Sequence, residues 1–130
     1  MKQCRLFSRL ALAAALLWFA ALPAFAGGSN KWRIQCSEGA KSTGEIVFRF
    51  TPDGGTAFDV AVAIPDHTSE NHVARIIRDT FRKKLDAARF HVEVDDGEDV
   101  LVKKKGSEPR FGLEVASNTV KAVRIGLDRE

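Results

Sequence analysis

The strongest constraint on the fold is the spacing of apolar residues, which has period two along most of the chain. Alternating apolar and polar side chains are typical of a strand with one buried face. The strands predicted in this way, together with short runs between turn signals, lie at 32–36, 46–50, 58–64, 90–94, 99–103, 111–115 and 120–127. A chain with this pattern can only fold by covering the apolar face of a sheet.

A single segment, which follows Pro65, changes to the spacing of a helix. Its apolar stripe repeats every three or four residues and comprises Val73, Ile76, Ile77, Thr80, Phe81, Leu85 and Ala88. Charged residues occupy the other side, and Asp66, Thr68 or Ser69 is available as the N-cap. The pattern predicts one amphipathic helix.

Turn signals at 51–55 and 95–98 join neighbouring strands and favour antiparallel hairpins. No linker is long enough to separate two domains. We therefore predict one α+β domain over 27–130, with its single helix packed on a mainly antiparallel sheet of about six to seven short strands.

The start of the chain has the three parts of a cleavable secretory signal peptide, predicted over 1–26. Lys2, Arg5 and Arg9 are followed by an unbroken apolar run over 10–22 and by an Ala-Phe-Ala site at 24–26. That run is shorter than the ~20 residues that span a bilayer. We therefore expect export to the periplasm or the extracellular space, and no transmembrane span in the mature chain.

Removal of this leader changes the charge and the cysteine count. The net charge of +3 equals the three leader cations, so the mature chain is neutral, which argues against a nucleic-acid partner. Cys36 is the one cysteine outside the leader, so it cannot form an intramolecular disulfide. It continues the face of Trp32 and Ile34, which predicts burial.

From residue 58 onward, an apolar strand, an amphipathic helix and a run of strands follow one another. This order resembles the small strand–helix–β-meander module of flagellar hook and filament proteins and of phage tail proteins. The resemblance implies an architecture used for assembly, and it assigns no functional residue.

Two polar clusters are weak candidates for metal ligands. The carboxylates of the 95–99 turn suit Ca²⁺, although the turn lacks the spacing of an EF-hand, and a solvated hairpin tip is the simpler interpretation. The second cluster lies at the start of the helix, where two imidazoles five residues apart do not share one helical face. The candidates are Asp95, Asp96, Glu98 and Asp99 in the turn, and His67, Glu70 and His72 at the helix. We predict no bound metal and no cofactor.

Basic residues form a third candidate, a surface that orients a charged partner. These weak partner-binding candidates are Arg75, Arg78, Arg82, Lys83, Lys103, Lys104 and Lys105. Charged helix faces and edge lysines also serve solubility and prevent edge-to-edge pairing, which is the simpler interpretation.

The sequence contains no Gly-x-Ser-x-Gly, His-Glu-x-x-His or Ser-x-x-Lys motif and no phosphate-binding glycine loop, so we predict that the protein is not an enzyme. The preferred hypothesis is a small exported binding domain whose partner is another envelope or secreted protein. One alternative is an inhibitor of a secreted or host hydrolase, which would present the turn at 95–99 or 52–55. The other is an envelope protein that binds a metal or a small ligand.

Overall fold

The computed structural model describes residues 28–130, and the predicted leader over 1–26 lies outside them. Seven strands and one helix follow one another along the chain. They are β1 (Lys31–Ser37), β2 (Gly44–Pro52), β3 (Phe58–Ile64), α1 (Glu70–Lys84), β4 (Phe90–Asp95), β5 (Asp99–Lys104), β6 (Phe111–Asn118) and β7 (Arg124–Arg129). The predicted α+β class is confirmed.

The strands form two antiparallel sheets, so the prediction of a single sheet was wrong. One sheet has the order β4-β5-β1-β7 and the other has the order β3-β2-β6. Period-two spacing shows that each strand has one buried face, but it does not show which strands are neighbours. The inner faces of both sheets enclose one common core. In the predicted arrangement, one sheet and one helix would have enclosed it.

Two hairpins follow the predicted turns. The pairing of β2 with β3 sets Phe50 opposite Phe58, across a turn in which Gly54 has a positive φ of 71°. The pairing of β4 with β5 turns through Asp96 and Gly97, whose φ angles are 50° and 76°. Two successive positive φ values suit the right-handed twist of paired strands, and an Asp-Gly pair adopts them readily.

The helix begins at the N-cap Ser69, whose hydroxyl accepts a hydrogen bond from the amide of His72 at 3.4 Å. It ends at Lys84, so Ala88 of the predicted stripe lies beyond it. Its buried residues are Val73, Ala74, Ile77 and Phe81. With this face α1 packs against β3 of one sheet and β4 of the other, and it closes one side of the core between them.

Phenylalanine rings connect the three layers at the centre of the core. The ring of Phe50 is fully buried and stacks on the ring of Phe58 at 5.3 Å between centroids. It also meets Phe81 of the helix at 5.3 Å, and Phe90 of the other sheet at 5.8 Å. A single side chain of β2 therefore contacts both sheets and the helix.

Candidate functional site

The acidic turn proposed as a calcium site is instead held by an arginine. Arg33 Nη1 lies 3.1 Å from a carboxylate oxygen of Asp95 and 2.8 Å from one of Asp99. The same guanidinium binds the carboxylate of Glu130, and this contact, with that of Lys31, lowers the pKa of Glu130. The turn also lies close to the start of the helix: a Cβ placed on Gly97 would be 3.6 Å from the side chain of Asn71. The carboxylates at the two ends of the turn thus neutralise a cation on the outer face of a sheet.

The second polar cluster is spread out. His67 is exposed and pairs with its neighbour Asp66 at 3.3 Å, whereas His72 is exposed on the first turn of the helix. Glu70 points elsewhere and accepts a hydrogen bond from the amide of Glu38 at 3.3 Å. Within residues 28–130, no three His, Cys, Asp or Glu side chains converge in the way that a metal ion requires.

Cys36 is buried at 2% exposure, as the sequence pattern predicted. Burial, with smaller contributions from the nearby carboxylates of Asp99, Glu98 and Glu70, raises the pKa of its thiol to about 12. The residue lies at the wall of an open cleft of about 600 Å³, which Glu70, Glu98 and Arg124 also line. A thiol with this pKa is protonated at neutral pH and is a poor nucleophile.

Several of the basic candidates make ion pairs or hydrogen bonds within the chain. Arg78 pairs with Asp79 at 2.8 Å, and Lys105 Nζ donates to the carbonyl of Ala87 at 2.6 Å. Lys104 Nζ donates within its own turn, to the carbonyl of Gly106 at 2.9 Å. Arg75, Lys83 and Lys103 are exposed.

Two of the four edge strands pack against the helix, and its last turn binds one edge carbonyl of each. An edge strand presents unpaired backbone groups, and proteins protect them with charged side chains or with covering elements. Arg82 Nε donates to the carbonyl of Val92 on the edge of β4 at 2.9 Å. Lys84 Nζ donates to the carbonyl of Ala61 on the edge of β3, also at 2.9 Å.

The third edge strand, β6, is partly occupied and interrupted. Ser29 exchanges two backbone hydrogen bonds with Phe111 at 2.9 and 3.0 Å, which pairs the beginning of β6. Trp32 Nε1 donates to the same carbonyl of Phe111 at 2.7 Å. Further along, the register of β6 on β2 shifts opposite Val47 and Phe48. Such a bulge interrupts the regular spacing that a further strand would need.

The fourth edge strand, β7, has no such protection from the described residues. The amide of Glu130 donates to the carbonyl of Lys31 on β1 at 3.0 Å. Hydrogen bonding alternates along an antiparallel pair, so Asp128 and Gly126 also bond to β1. The same alternation turns the amide and carbonyl groups of Ile125, Leu127 and Arg129 away from β1. No side chain of residues 28–130 bonds to these outward groups.

The side chains of β7 give this edge an apolar side and a charged side. Ile125 and Leu127 are half-buried and pack against the core, and the Arg129 guanidinium lies 5.5 Å from the centre of the Trp32 ring. On the opposite side, Arg124 and Asp128 are exposed and make no ion pair within the described residues. This strand, which we call the β7 edge (Arg124–Arg129), is the candidate site for an extended protein segment.

Sequence reasoning did not find the β7 edge, because strand order is a property of the tertiary structure. The last strand was predicted over 120–127, whereas it runs from Arg124 to Arg129. The only sequence signal was the run of alternating residues with charges at both ends. Alternation also occurs in other predicted strands, so it does not identify an open edge.

Within residues 28–130, no helix is both long enough and apolar enough to cross a bilayer. No family model matches the sequence, and no curated protein is significantly similar to it.

Proposed function

We propose that this chain is a small exported, non-catalytic domain that binds another protein of the cell envelope or the secreted space. The β7 edge would pair with an extended segment of that partner and so lengthen the four-stranded sheet. The observation that carries this proposal is the contrast among the edges. The helix α1 packs against β3 and β4 and binds one edge carbonyl of each, and Ser29 and a bulge limit β6. No described residue bonds to the outward backbone groups of Ile125, Leu127 and Arg129 on β7.

Strand addition suits both sides of this edge. The backbone hydrogen bonds of an added strand are independent of its sequence, and flanking side chains supply the selectivity. An apolar residue of the partner would extend the row of Ile125 and Leu127 at the margin of the core. A charged residue on the other side would meet Arg124 or Asp128.

Export is part of the proposal and depends on the predicted leader over 1–26. Two features support the non-catalytic reading. The thiol of Cys36 has a raised pKa, and the carboxylates of Asp95 and Asp99 are occupied by Arg33. For the inhibitor alternative, the turn at 95–99 has less support as the presented loop, because it lies against the helix at Asn71.

A pair of substitutions at one position tests the backbone pairing. Leu127→Pro removes an outward N–H that makes no bond to β1, and the proline ring blocks a neighbouring strand. Leu127→Ala removes more of the side chain than Leu127→Pro does but keeps this N–H. The full chain, expressed with its leader and a C-terminal tag, would be used to capture partners from native envelope and secreted extract.

We expect one stoichiometric partner with the native protein and with Leu127→Ala, and its loss with Leu127→Pro. Amide exchange by NMR gives an independent measurement. The amides of Ile125 and Leu127 should exchange quickly in the monomer at low concentration and become protected when the edge is paired, while those of Gly126 and Asp128 are protected throughout. Equal capture by all three proteins, or no capture by any of them together with a native protein that stays monomeric, would refute the β7 edge as the site.

A further inference from the structure

We infer that a second copy of this chain can occupy the β7 edge, in an antiparallel pairing of the two β7 strands about a two-fold axis at Gly126. This inference rests on the proposed function of the edge and names its partner. A two-fold interface must be self-complementary, since each residue meets its counterpart in the other copy. The sequence of β7 meets that condition in this register.

The pairs on the core side are apolar. With the axis at Gly126, Ile125 lies opposite Leu127 of the second copy, and Leu127 lies opposite the second Ile125. The backbone groups of both residues point outward from β1, so each such pair can exchange two hydrogen bonds. The half-buried side chains extend the apolar rows of the two cores toward each other.

The pairs on the other side have opposite charges. Arg124 lies opposite Asp128 of the second copy, and the reverse pair repeats this contact across the axis. Neither side chain has an ionic partner within the described part of its own chain. Opposite charges directly across two strands stabilise the pairing, and like charges destabilise it.

The axis itself falls on a glycine. Gly126 bonds to β1, so the two glycines form a non-hydrogen-bonded pair, in which opposed Cα atoms approach to about 4.5 Å. Because neither glycine has a side chain, nothing at the axis opposes the pairing of the two strands. The two four-stranded sheets then become one continuous sheet through both copies.

The neighbouring registers are less complementary. An axis at Leu127 sets Ile125 opposite Arg129, and Arg124 opposite Glu130, whose carboxylate is already bound by Arg33 and Lys31. An axis at Ile125 sets Arg124 opposite Gly126 and leaves both charges of the strand without an opposite charge. Only the register at Gly126 matches apolar residues and charges together.

Charge reversal tests both the pairing and its register. In Arg124→Asp, both cross-strand pairs become acid–acid, and in Asp128→Arg both become base–base. The full chain would be expressed with its leader and purified after any processing by the host cell. Sedimentation equilibrium over a wide concentration range would then measure its association. We expect a concentration-dependent dimer for the native protein. Dimerisation should be about tenfold weaker in each single variant, since two pairs change sign together.

Mixing the two single variants separates the interface from the stability of the monomer. A mixed dimer has opposite charges at both pairs, so it should form about tenfold more tightly than either variant with itself. The double variant, Arg124→Asp with Asp128→Arg, should recover the native association, and Leu127→Pro should abolish it. Thermal unfolding at a concentration where all proteins are monomeric controls for misfolding.

Several results would overturn the inference. One is a native protein that stays monomeric at every concentration. Another is a dimer whose affinity is unchanged by both charge reversals and by mixing the two variants. A monomer that still captures another protein, and loses it in Leu127→Pro, would refute the second copy and support the edge as a binding site. A monomer that captures nothing would refute both.

Discussion

Phe50 is the residue whose truncation should separate the layers of this fold. Its ring is fully buried on β2, and its centroid lies 5.3 Å from that of Phe81 on the helix and 5.8 Å from that of Phe90 in the other sheet. Removal of a buried phenylalanine to alanine costs about 3–5 kcal/mol. Each aromatic pair adds about 0.5–1.5 kcal/mol beyond the buried area, which places Phe50→Ala at the upper end of that range.

A smaller change keeps the measurement possible if Phe50→Ala does not fold, since a domain has only about 5–15 kcal/mol of stability in total. Phe50→Leu retains most of the volume but loses the ring contacts, and we expect a cost of about 1–2 kcal/mol. Phe58→Ala is the matched control. That ring is half-buried and stacks on Phe50 at 5.3 Å, so its truncation should cost about 1–2 kcal/mol.

The assay is urea unfolding, followed by the fluorescence of Trp32 and by far-ultraviolet circular dichroism. Trp32 is 7% exposed and its indole N–H is bonded to Phe111 at the meeting of the two sheets, so it reports on their separation. If Phe58→Ala costs as much as Phe50→Ala, or if Phe50→Leu is neutral, the ring cluster does not hold the layers together and the reasoning fails.

Four further predictions concern single side chains. The raised pKa of Cys36 predicts that a thiol reagent modifies the native protein at pH 8 at least about 100-fold more slowly than the urea-unfolded chain, because the thiolate is scarce and buried; equal rates would contradict it. The same shift, from 9.0 to about 12, means that the unfolded thiol ionises first, so its contribution to stability is complete below pH 9 and falls as the pH rises toward 12. The difference in unfolding free energy between the native protein and Cys36→Ala should therefore shrink over that interval. The lowered pKa of Glu130 gives the opposite pH dependence. The stability that its ion pair with Arg33 provides is present above the ordinary pKa of 4.5 and is lost as the pH falls through the lowered pKa. The destabilisation caused by Arg33→Met should therefore diminish in acid. A constant difference between pH 7 and pH 3 would contradict this. Ser69→Ala removes the N-cap of α1 and should cost about 0.5–1 kcal/mol in thermal or urea unfolding, whereas Ser69→Gly should cost only a few tenths; a neutral Ser69→Ala would show that this cap is unimportant.

Local structure could be predicted from the sequence because it depends on near neighbours. The stripe through Val73, Ile77 and Phe81 predicts a helix, and these are its buried residues. The turn at Asp96 and Gly97 follows from the backbone preferences of two residues. The burial of Cys36 follows from its place on the face of Trp32.

The start of the predicted last strand shows where local pattern is insufficient. Val120 and Val123 are buried, which suggested a strand, but their backbone forms a turn. Asn118 stabilises it, since its side chain accepts from the amide of Val120 at 2.9 Å and donates to the carbonyl of Val123 at 3.0 Å. The apolar residue types therefore indicated burial correctly, and the inferred extended structure was wrong.

The candidate site required information that no local pattern contains. A run of carboxylates looks the same whether it meets a metal or an arginine, and only the pairing of β1 with β5 brings Arg33 to Asp99. A basic helix face looks like a binding surface until the packing of α1 brings Arg82 and Lys84 to the edges of two sheets. The sequence by itself determined which residues are buried, where the helix lies and which hairpins form, because these depend on contacts a few residues apart. The tertiary structure alone decided that there are two sheets and that β7 is an open edge, because strand order depends on contacts between residues far apart in the chain.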